Sequence, residues 1–259
     1  MQPISELLGY SPIDIHSHLD HGAPGDYRAV VSASTVHVHS MAEDMLRQKY
    51  DAAGIGSVCF STYDAVTFCD RIVEENEFLH QFVQETPWAY QWVVVNPLQP
   101  ETFRQAETML RCKKTVGIKL HPKNHQYDIL EHGDKLFSFA HELGAVVQMH
   151  PAEVPAMPAF ADKYPGMQLI IAHLASEVYI DAVAAARHKN LWVDTSGSAS
   201  IRNNLIERAV ERIGSDRILF GTDTYFAPFQ LARIAWAGIS NEDKKNILRD
   251  NAAALFGCF

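Results

Sequence analysis

Ligand-type side chains recur along the chain, each directly after or at the end of a short apolar run. The stretch "DIHSHLD" places His16 and His18 two residues apart. Later apolar runs end in four more such residues: His121, His150, His173 and Asp223. Imidazole and carboxylate groups are typical ligands of a borderline divalent cation such as zinc. The pattern therefore predicts a metal centre, provided that the runs are strands whose carboxyl ends meet.

The apolar runs predict eight buried strands, and segments with helical spacing lie between them. The predicted strands span 12–16, 56–61, 89–95, 116–121, 145–150, 168–173, 191–196 and 217–223. The predicted helices span 41–54, 69–86, 100–112, 133–144, 176–188 and 203–214. Continuous apolar strands, rather than alternating ones, indicate a parallel sheet covered on both faces. The sequence predicts an α/β fold, a single (β/α)8 TIM barrel of the metal-dependent hydrolase type over residues 1–259, with a doubly wound sheet as the alternative.

A barrel would bring the ligand-type residues together, because its active site lies at the carboxyl ends of the strands. Side chains in a strand alternate between faces, so His16 and His18 share a face, as do Lys119 and His121. Each residue alone has an ordinary structural interpretation. Asp223, for example, is also suited to capping a following helix. Such roles do not explain why all of these residues fall at strand ends, so metal binding is favoured.

Composition narrows the class of partner. A formal charge of −9 argues against nucleic acid, because phosphate binding needs a clustered basic surface. No run of about eighteen apolar residues is present, and Met1 to Gly9 has no signal-peptide pattern. The four cysteines are scattered and suit reduced thiols. We expect a cytoplasmic protein that acts on a small-molecule substrate, without a nucleic-acid or membrane partner, and self-association is left open. Residues 19–40 are expected to form a long functional loop.

The motifs, taken in order, resemble a known superfamily. The set "DIHSHLD", "GIKLHP", "VVQMHP", "LIIAHLA", "LWVDTSG" and "ILFGTD" is similar to the amidohydrolase superfamily of metal-dependent barrels. The tail "KKNILRDNAAALFG" resembles the ending of its amidohydrolase-2 branch, which includes hydrolases and decarboxylases of the aminocarboxymuconate-semialdehyde type. The resemblance implies that His16, His18, His150 and Asp223 bind the metal. It also implies that Asp223 and His173 are catalytic.

Lys119 is the position on which the number of metals depends. In one branch of the superfamily, a lysine in a similar setting is carboxylated and bridges two metals, with His173 on the second ion. In the decarboxylase-like branch, no such bridge is used. The resemblance supports either arrangement. We expect one ion, Zn²⁺, with His173 as the catalytic histidine.

The implied ligands suit two reactions. A divalent ion lowers the pKa of bound water to about 7, and Asp223 can take the proton of that water. This chemistry suits hydrolysis of a C–N or C–O bond in an amide, ester or lactone, which is the leading expectation. Non-oxidative decarboxylation of a small carboxylic acid is the alternative. A catalytically idle barrel that binds metal or ligand is the third hypothesis.

Candidate substrate contacts follow the strand ends. They are Tyr63, His121, His125, Ser196, Arg202 and Tyr225. The planar guanidinium of Arg202 is suited to a carboxylate, although a surface position near a helix start is the favoured interpretation. A second His-x-His pair, His37 and His39, is expected to lie at the surface or in the pocket wall and not to bind metal.

Overall fold

The computed structural model describes residues 9–21, 27–31, 36–41, 43–224 and 227–259. The strands within these ranges are β1 (Ile13–Leu19), β2 (Tyr27–Val31), β3 (Val36–Met41), β4 (Ser57–Thr62), β5 (Ala89–Val94), β6 (Thr115–Leu120), β7 (Val146–Met149), β8 (Gln168–Ile171), β9 (Leu191–Asp194) and β10 (Ile218–Leu219). They form one sheet in the order β10-β9-β8-β7-β6-β5-β4-β1-β3-β2. The eight strands from β10 to β1 in this order are all parallel.

The chain just after β10 returns to β1 and nearly closes the sheet. The Ile15 amide donates to the Phe220 carbonyl at 3.0 Å, and the Asp223 amide donates to the His16 carbonyl at 2.7 Å. The helices lie between the strands in sequence. The predicted (β/α)8 barrel is therefore confirmed.

Helices follow the strands with short connections. Their bounds are α1 (Glu43–Ala52), α2 (Tyr63–Thr67), α3 (Ile72–Glu85), α4 (Pro100–Met109), α5 (Pro122–His125), α6 (Ile129–Leu143), α7 (Met157–Lys163), α8 (Glu177–Ala185), α9 (Leu205–Ile213), α10 (Ala227–Ala235), α11 (Asn241–Lys245) and α12 (Asn251–Phe256). A π-helical segment, Asn246–Asp250, joins the last two, and short 3₁₀ turns lie at Cys69–Arg71, Val154–Ala156 and Ser215–Arg217. In the parts of the chain that these ranges cover, we find no helix with the length and apolar character that crossing a membrane requires.

Local signals explain where α6 begins and ends. The Asp128 carboxylate accepts from the Leu130 amide at 2.8 Å and so caps the first turn. Gly144 ends the helix in the left-handed conformation, with φ of +61°, as the sequence predicted. The predicted start at 133 was four residues late, because the capping aspartate lies before the apolar stripe.

Two apolar layers hold the barrel. The larger lies between the strands and the surrounding helices and includes Phe60 and Phe137. The smaller fills the barrel interior, where Ile15, Trp92 and Ile170 are fully buried and Phe256 of α12 packs against them. The Trp92 indole donates to the Ile15 carbonyl at 2.8 Å. The interior below the strand ends is therefore packed core, which leaves the carboxyl ends as the place for a site.

The long loop expected over 19–40 is instead partly ordered as a hairpin. Strands β2 and β3 pair antiparallel, and Met41 of β3 lies beside Leu19 of β1. Valine recurs through both strands, and β-branched residues favour the extended conformation. The hairpin therefore extends the sheet at the carboxyl end of β1.

Candidate metal centre and active site

The strand ends bring the predicted ligand-type residues to one place. One ligand atom each of His16, His173 and Asp223 lie within 4.8 Å of one another. His18 joins them through Asp223, since its Nε2 lies 3.1 Å from Asp223 Oδ1. His150 lies beside them, with its ring centroid 5.1 Å from that of His173. We call these five residues the strand-end cluster.

Asp194, at the end of β9, fixes two members of the cluster. The His16 Nδ1–H donates to Asp194 Oδ2 at 3.0 Å, and the His173 backbone amide donates to Asp194 Oδ1 at 3.0 Å. Ser196 Oγ donates to Asp194 Oδ1 at 2.5 Å and accepts from His173 Nδ1 at 2.9 Å. Gln148 Nε2 donates to the Oδ2 atom at 3.2 Å. Both imidazoles are thereby held as Nδ1–H tautomers, so that the Nε2 atom of each carries the lone pair.

Sequence reasoning gave Asp194 no individual role. Its signal was present, because it is a ligand-type residue two positions before the end of the predicted strand 191–196. Burial acts to raise the pKa of Asp194, but its contacts with His16 and His173 hold that pKa below the usual range. The carboxylate therefore stays ionised and supports the Nδ1–H form of His16.

Two of the catalytic candidates, His173 and Asp223, have a left-handed backbone. His173 has φ of +62° and Asp223 has φ of +57°, a region that non-glycine residues seldom adopt. Gly197, with φ of +74°, packs against both side chains. A Cβ atom there would lie 2.7 Å from His173 Nδ1 and 3.2 Å from Asp223 Oδ2. Such strain persists where the surrounding hydrogen bonds enforce it, and it is typical of functional sites.

Four imidazoles at the site have lowered pKa values and are uncharged at neutral pH. Burial, together with the neighbouring Lys119, lowers the pKa of His16 to about 3. Burial likewise lowers the pKa of His18, His121 and His150. Neutral imidazole is the form that binds a metal ion. The cluster therefore needs no deprotonation of these rings at neutral pH before it takes a cation.

Asp223 supplies the negative charge of the cluster. Burial acts to raise its pKa, but His173 and the hydrogen bond from His18 hold that pKa well below the usual range. Mixed imidazole nitrogens and one carboxylate form a donor set that suits a divalent transition metal. The residues present therefore fit a divalent metal ion.

Lys119 lies at the same point, with only 1% of its surface exposed. Its Nζ donates to His16 Nε2 at 2.8 Å and to Gln148 Oε1 at 2.8 Å. Burial lowers the pKa of Lys119 to about 8, against the opposing effects of Asp194 and Asp223. Because the ammonium contacts the ring atom that would bind a metal, His16 can bind an ion only after Lys119 turns away or is carboxylated.

A cavity of about 460 Å³ opens above the cluster. Its wall includes Tyr63 and His121, two of the predicted substrate contacts. The His121 ring stacks on that of His150 with centroids 4.0 Å apart. Its Nδ1 accepts from the Asn124 amide and caps α5. The volume suits a small molecule, as the sequence predicted.

The other predicted substrate contacts lie away from the wall. Ser196 is fully buried behind His16 and His173, where its hydroxyl donates a hydrogen bond to Asp194. His125 is also buried, and its Nε2 donates to the Ala65 carbonyl at 2.9 Å.

Two further candidates remain, Arg202 and Tyr225. Arg202 is exposed and is not among the residues that line it. Tyr225 lies outside the described residues. His37 and His39 belong to β3, and their side chains lie outside the part of the structure that is described, so their expected position stays a prediction.

The sequence matches a family model, and the fold matches solved structures of low sequence identity. The amidohydrolase family model matches residues 13–258. No curated protein matches the sequence. Among solved structures, a 2,6-dihydroxybenzoate decarboxylase complexed with 2,6-dihydroxybenzoate has a TM-score of 0.73 at 16% identity, over 95% of this chain and 99% of that one.

Two other similar structures contain manganese. A dihydroxybenzoic acid decarboxylase from Polaromonas sp. JS666, with the inhibitor 2-nitroresorcinol, has a TM-score of 0.68 at 19% identity, over 95% of this chain and 97% of that one. A 5-carboxyvanillate decarboxylase from Novosphingobium aromaticivorans DSM 12444, with 4-hydroxy-3-methoxy-5-nitrobenzoic acid, has a TM-score of 0.71 at 15% identity, over 96% and 97%. At these identities the likeness shows a shared fold.

Proposed function

The chain belongs to the amidohydrolase family, and from that premise we propose that it is a metal-dependent decarboxylase of a small carboxylic acid. The sequence placed hydrolysis of a C–N or C–O bond first and decarboxylation second. The comparisons reverse that order, because the three similar structures described above are decarboxylases. The observation that carries the proposal is the strand-end cluster at the floor of a cavity sized for a small acid.

We propose that His16, His18, His150 and Asp223 hold one divalent ion. Zinc suits this donor set, and two of the similar structures contain manganese. When bound, the ion would orient the substrate and stabilise the negative charge that develops on it. His173 then remains for the substrate, since Ser196 engages its Nδ1 and no hydrogen bond between described residues involves its other ring nitrogen.

Asp223 is the proposed proton carrier. It is ionised at neutral pH and lies next to two imidazoles, so it can accept a proton from water or from the bound substrate. In the reaction the carbon–carboxylate bond breaks, CO₂ leaves, and the electron pair stays on the substrate carbon. The proton on Asp223 then forms the new C–H bond. No oxidant or reductant is required.

His173 and the cavity wall position the substrate for that transfer. The left-handed backbone of His173 is held by its amide hydrogen bond to Asp194, so the ring has a fixed direction. Val66 and Ala199 add apolar surface to the wall. If the substrate carbon is held beside Asp223, the proton is transferred between two groups that are already in position, which lowers the entropic cost of the step.

A turnover screen tests the proposal. Metal-free protein is loaded with Mn²⁺ or Zn²⁺ and offered hydroxybenzoic acids, lactones and N-acyl compounds, with the metal-free protein as control. We expect CO₂ from at least one aromatic acid, and only with metal present. Acid formation from a lactone or N-acyl compound without CO₂ from any acid would instead establish hydrolysis.

A further inference from the structure

We propose that Arg233 is a positioning residue, which holds the loop after β9 against the proposed catalytic groups His173 and Asp223. We call residues 195–200 the β9 loop. This inference rests on the proposed function, because it identifies what keeps the groups of that same site in place. Arg233 is not among the described residues that line the cavity, so it acts on the site through the loop.

The guanidinium of Arg233 contacts both ends of the β9 loop. Its Nη1 lies 3.1 Å from the Thr195 carbonyl oxygen and 3.1 Å from the Ser200 hydroxyl, and its Nη2 donates to the Ser200 carbonyl. Gln230, one helical turn earlier in α10, accepts from Arg233 at 2.6 Å and donates to the Gly197 carbonyl at 3.3 Å. Because a planar guanidinium has its donors in a fixed arrangement, these contacts hold the two ends of the loop at a fixed separation.

The Ser200 hydroxyl carries this contact into the loop. Its Oγ lies 2.8 Å from the carbonyl oxygens of Thr195 and Ser196. Since the same hydroxyl accepts from Arg233, its own proton is available to these carbonyls. The Ser196 carbonyl oxygen lies 3.4 Å from His173 Nδ1, where a carbonyl can only accept. The loop therefore helps to select the Nδ1–H tautomer of His173.

Gly197 is the point at which the β9 loop meets the catalytic side chains. It is buried, and an added Cβ atom would contact both His173 and Asp223, so the loop lies directly against them. A displacement of about 1 Å in such a site can lower a rate on the order of a hundredfold. Arg233 therefore connects α10, the helix that follows Asp223 in the chain, with the loop that packs on Asp223.

Nitrogen NMR of the metal-free protein, labelled with ¹⁵N-histidine, tests the inference without turnover. At slightly alkaline pH we expect His173 to show the Nδ1–H form alone, with its signals assigned from the spectrum of His173→Gln. Arg233→Met, which keeps a similar stem and removes every donor, should show a mixture of the two tautomers at His173. The milder variant Ser200→Ala should change the His173 signals in the same direction. Combining both changes should add little, because the two residues act on the same carbonyls.

Arg217→Met is the matched control. Arg217 is also half-buried and donates to two carbonyls, those of Val183 at 3.0 Å and Ile213 at 3.1 Å, but it belongs neither to the β9 loop nor to the described cavity wall. Its replacement should lower the unfolding free energy and leave the His173 tautomer as in the unaltered protein. The same change of tautomer in Arg217→Met would show that lost stability alone causes it, and would overturn the inference.

Turnover gives a second test, with any acid from which the metal-loaded protein releases CO₂. In Arg233→Met we expect kcat to fall about tenfold or more while KM changes less than about threefold, because Arg233 does not contact the substrate. A shifted His173 tautomer supports the inference even if no acid releases CO₂. His173 signals that stay unchanged in both Arg233→Met and Ser200→Ala would overturn it, whether or not CO₂ is released.

Discussion

Histidine tautomers decide what the strand-end cluster can bind. The His16 Nδ1–H donates a hydrogen bond to Asp194, and the His173 Nδ1–H donates one to Ser196. Ser61 Oγ lies 3.1 Å from His18 Nδ1. Residues that bind the Nδ1 side of a ligand histidine orient its ring, so that the Nε2 atom is the one that would bind an ion. Ligand types were readable from the sequence, because they follow apolar runs. The pairing of these rings with Ser61 and Asp194 was not readable, because the two residues come near the rings only when distant strands align.

The roles of His150 and His173 are separable by metal content. If His150 is a ligand, His150→Ala should lose most of its bound divalent ion, with a 10- to 100-fold weaker metal affinity or worse. His173→Ala should retain about one equivalent and lose turnover by at least a hundredfold. Metal analysis of dialysed protein measures the first property and CO₂ release the second. Loss of metal from His173→Ala with retention in His150→Ala would reverse the two assignments.

Lys119 distinguishes one metal from two. As an ammonium it would repel a divalent ion, whereas as a carbamate it would supply a negatively charged ligand for a second ion. We expect protein reconstituted in bicarbonate to hold one equivalent of metal, and we expect Lys119→Met to hold one as well. Mass measurement of the intact protein under native conditions checks the carbamate directly. Two equivalents that fall to one or none in the variant would show that Lys119 is carboxylated.

At the scale of elements, the strands were predictable and the local turns were not. All eight barrel strands overlap the predicted apolar runs, because buried parallel strands must be apolar on both faces. Strand β10 is only two residues long, whereas the sequence predicted a strand over 217–223. The chain leaves the extended conformation before Asp223, which has a left-handed backbone. The β2–β3 hairpin was missed because residues 22–25 contain glycine and proline, which favoured a loop.

Gly197 tests the packing of the loop after β9. A methyl group in Gly197→Ala would meet His173 Nδ1 at 2.7 Å, so we expect CO₂ release to fall by at least tenfold. Gly144→Ala is the matched control, since Gly144 also has positive φ but no atom within 4 Å of the added methyl. Both variants should lose about 1–2 kcal/mol of unfolding free energy from the left-handed backbone. Equal activity in the two variants would contradict the role of Gly197.

At the scale of the whole molecule, one buried carboxylate links the first and last barrel strands. Asp14 in β1 accepts from the Thr222 hydroxyl at 2.6 Å, from the Thr222 amide at 3.0 Å and from the His16 amide at 3.0 Å. Thr222 directly precedes Asp223. The contact that closes the barrel therefore also places the proposed proton carrier.

The pH dependence of stability tests that link. Burial raises the pKa of Asp14 from 3.8 to about 7, so the folded state holds its proton more tightly than the unfolded chain. The stabilisation from this proton is fully present below pH 3.8 and is lost as the pH rises through 7. Between pH 5 and pH 8, the unfolding free energy of the metal-free protein should fall by on the order of 2 kcal/mol relative to Asp14→Asn. Denaturant titrations of both proteins measure this, and a difference that is constant with pH would contradict it.

The origin of the new hydrogen in the product distinguishes decarboxylation from hydrolysis. An aromatic acid that the metal-loaded protein consumes is incubated in D₂O, and the product is examined by NMR and mass spectrometry. A decarboxylase that protonates carbon through Asp223 predicts one CO₂ per product and one deuterium at the carbon that carried the carboxylate. Conversion without CO₂, with the carboxylate carbon still attached and no deuterium on carbon, would contradict decarboxylation and favour hydrolysis.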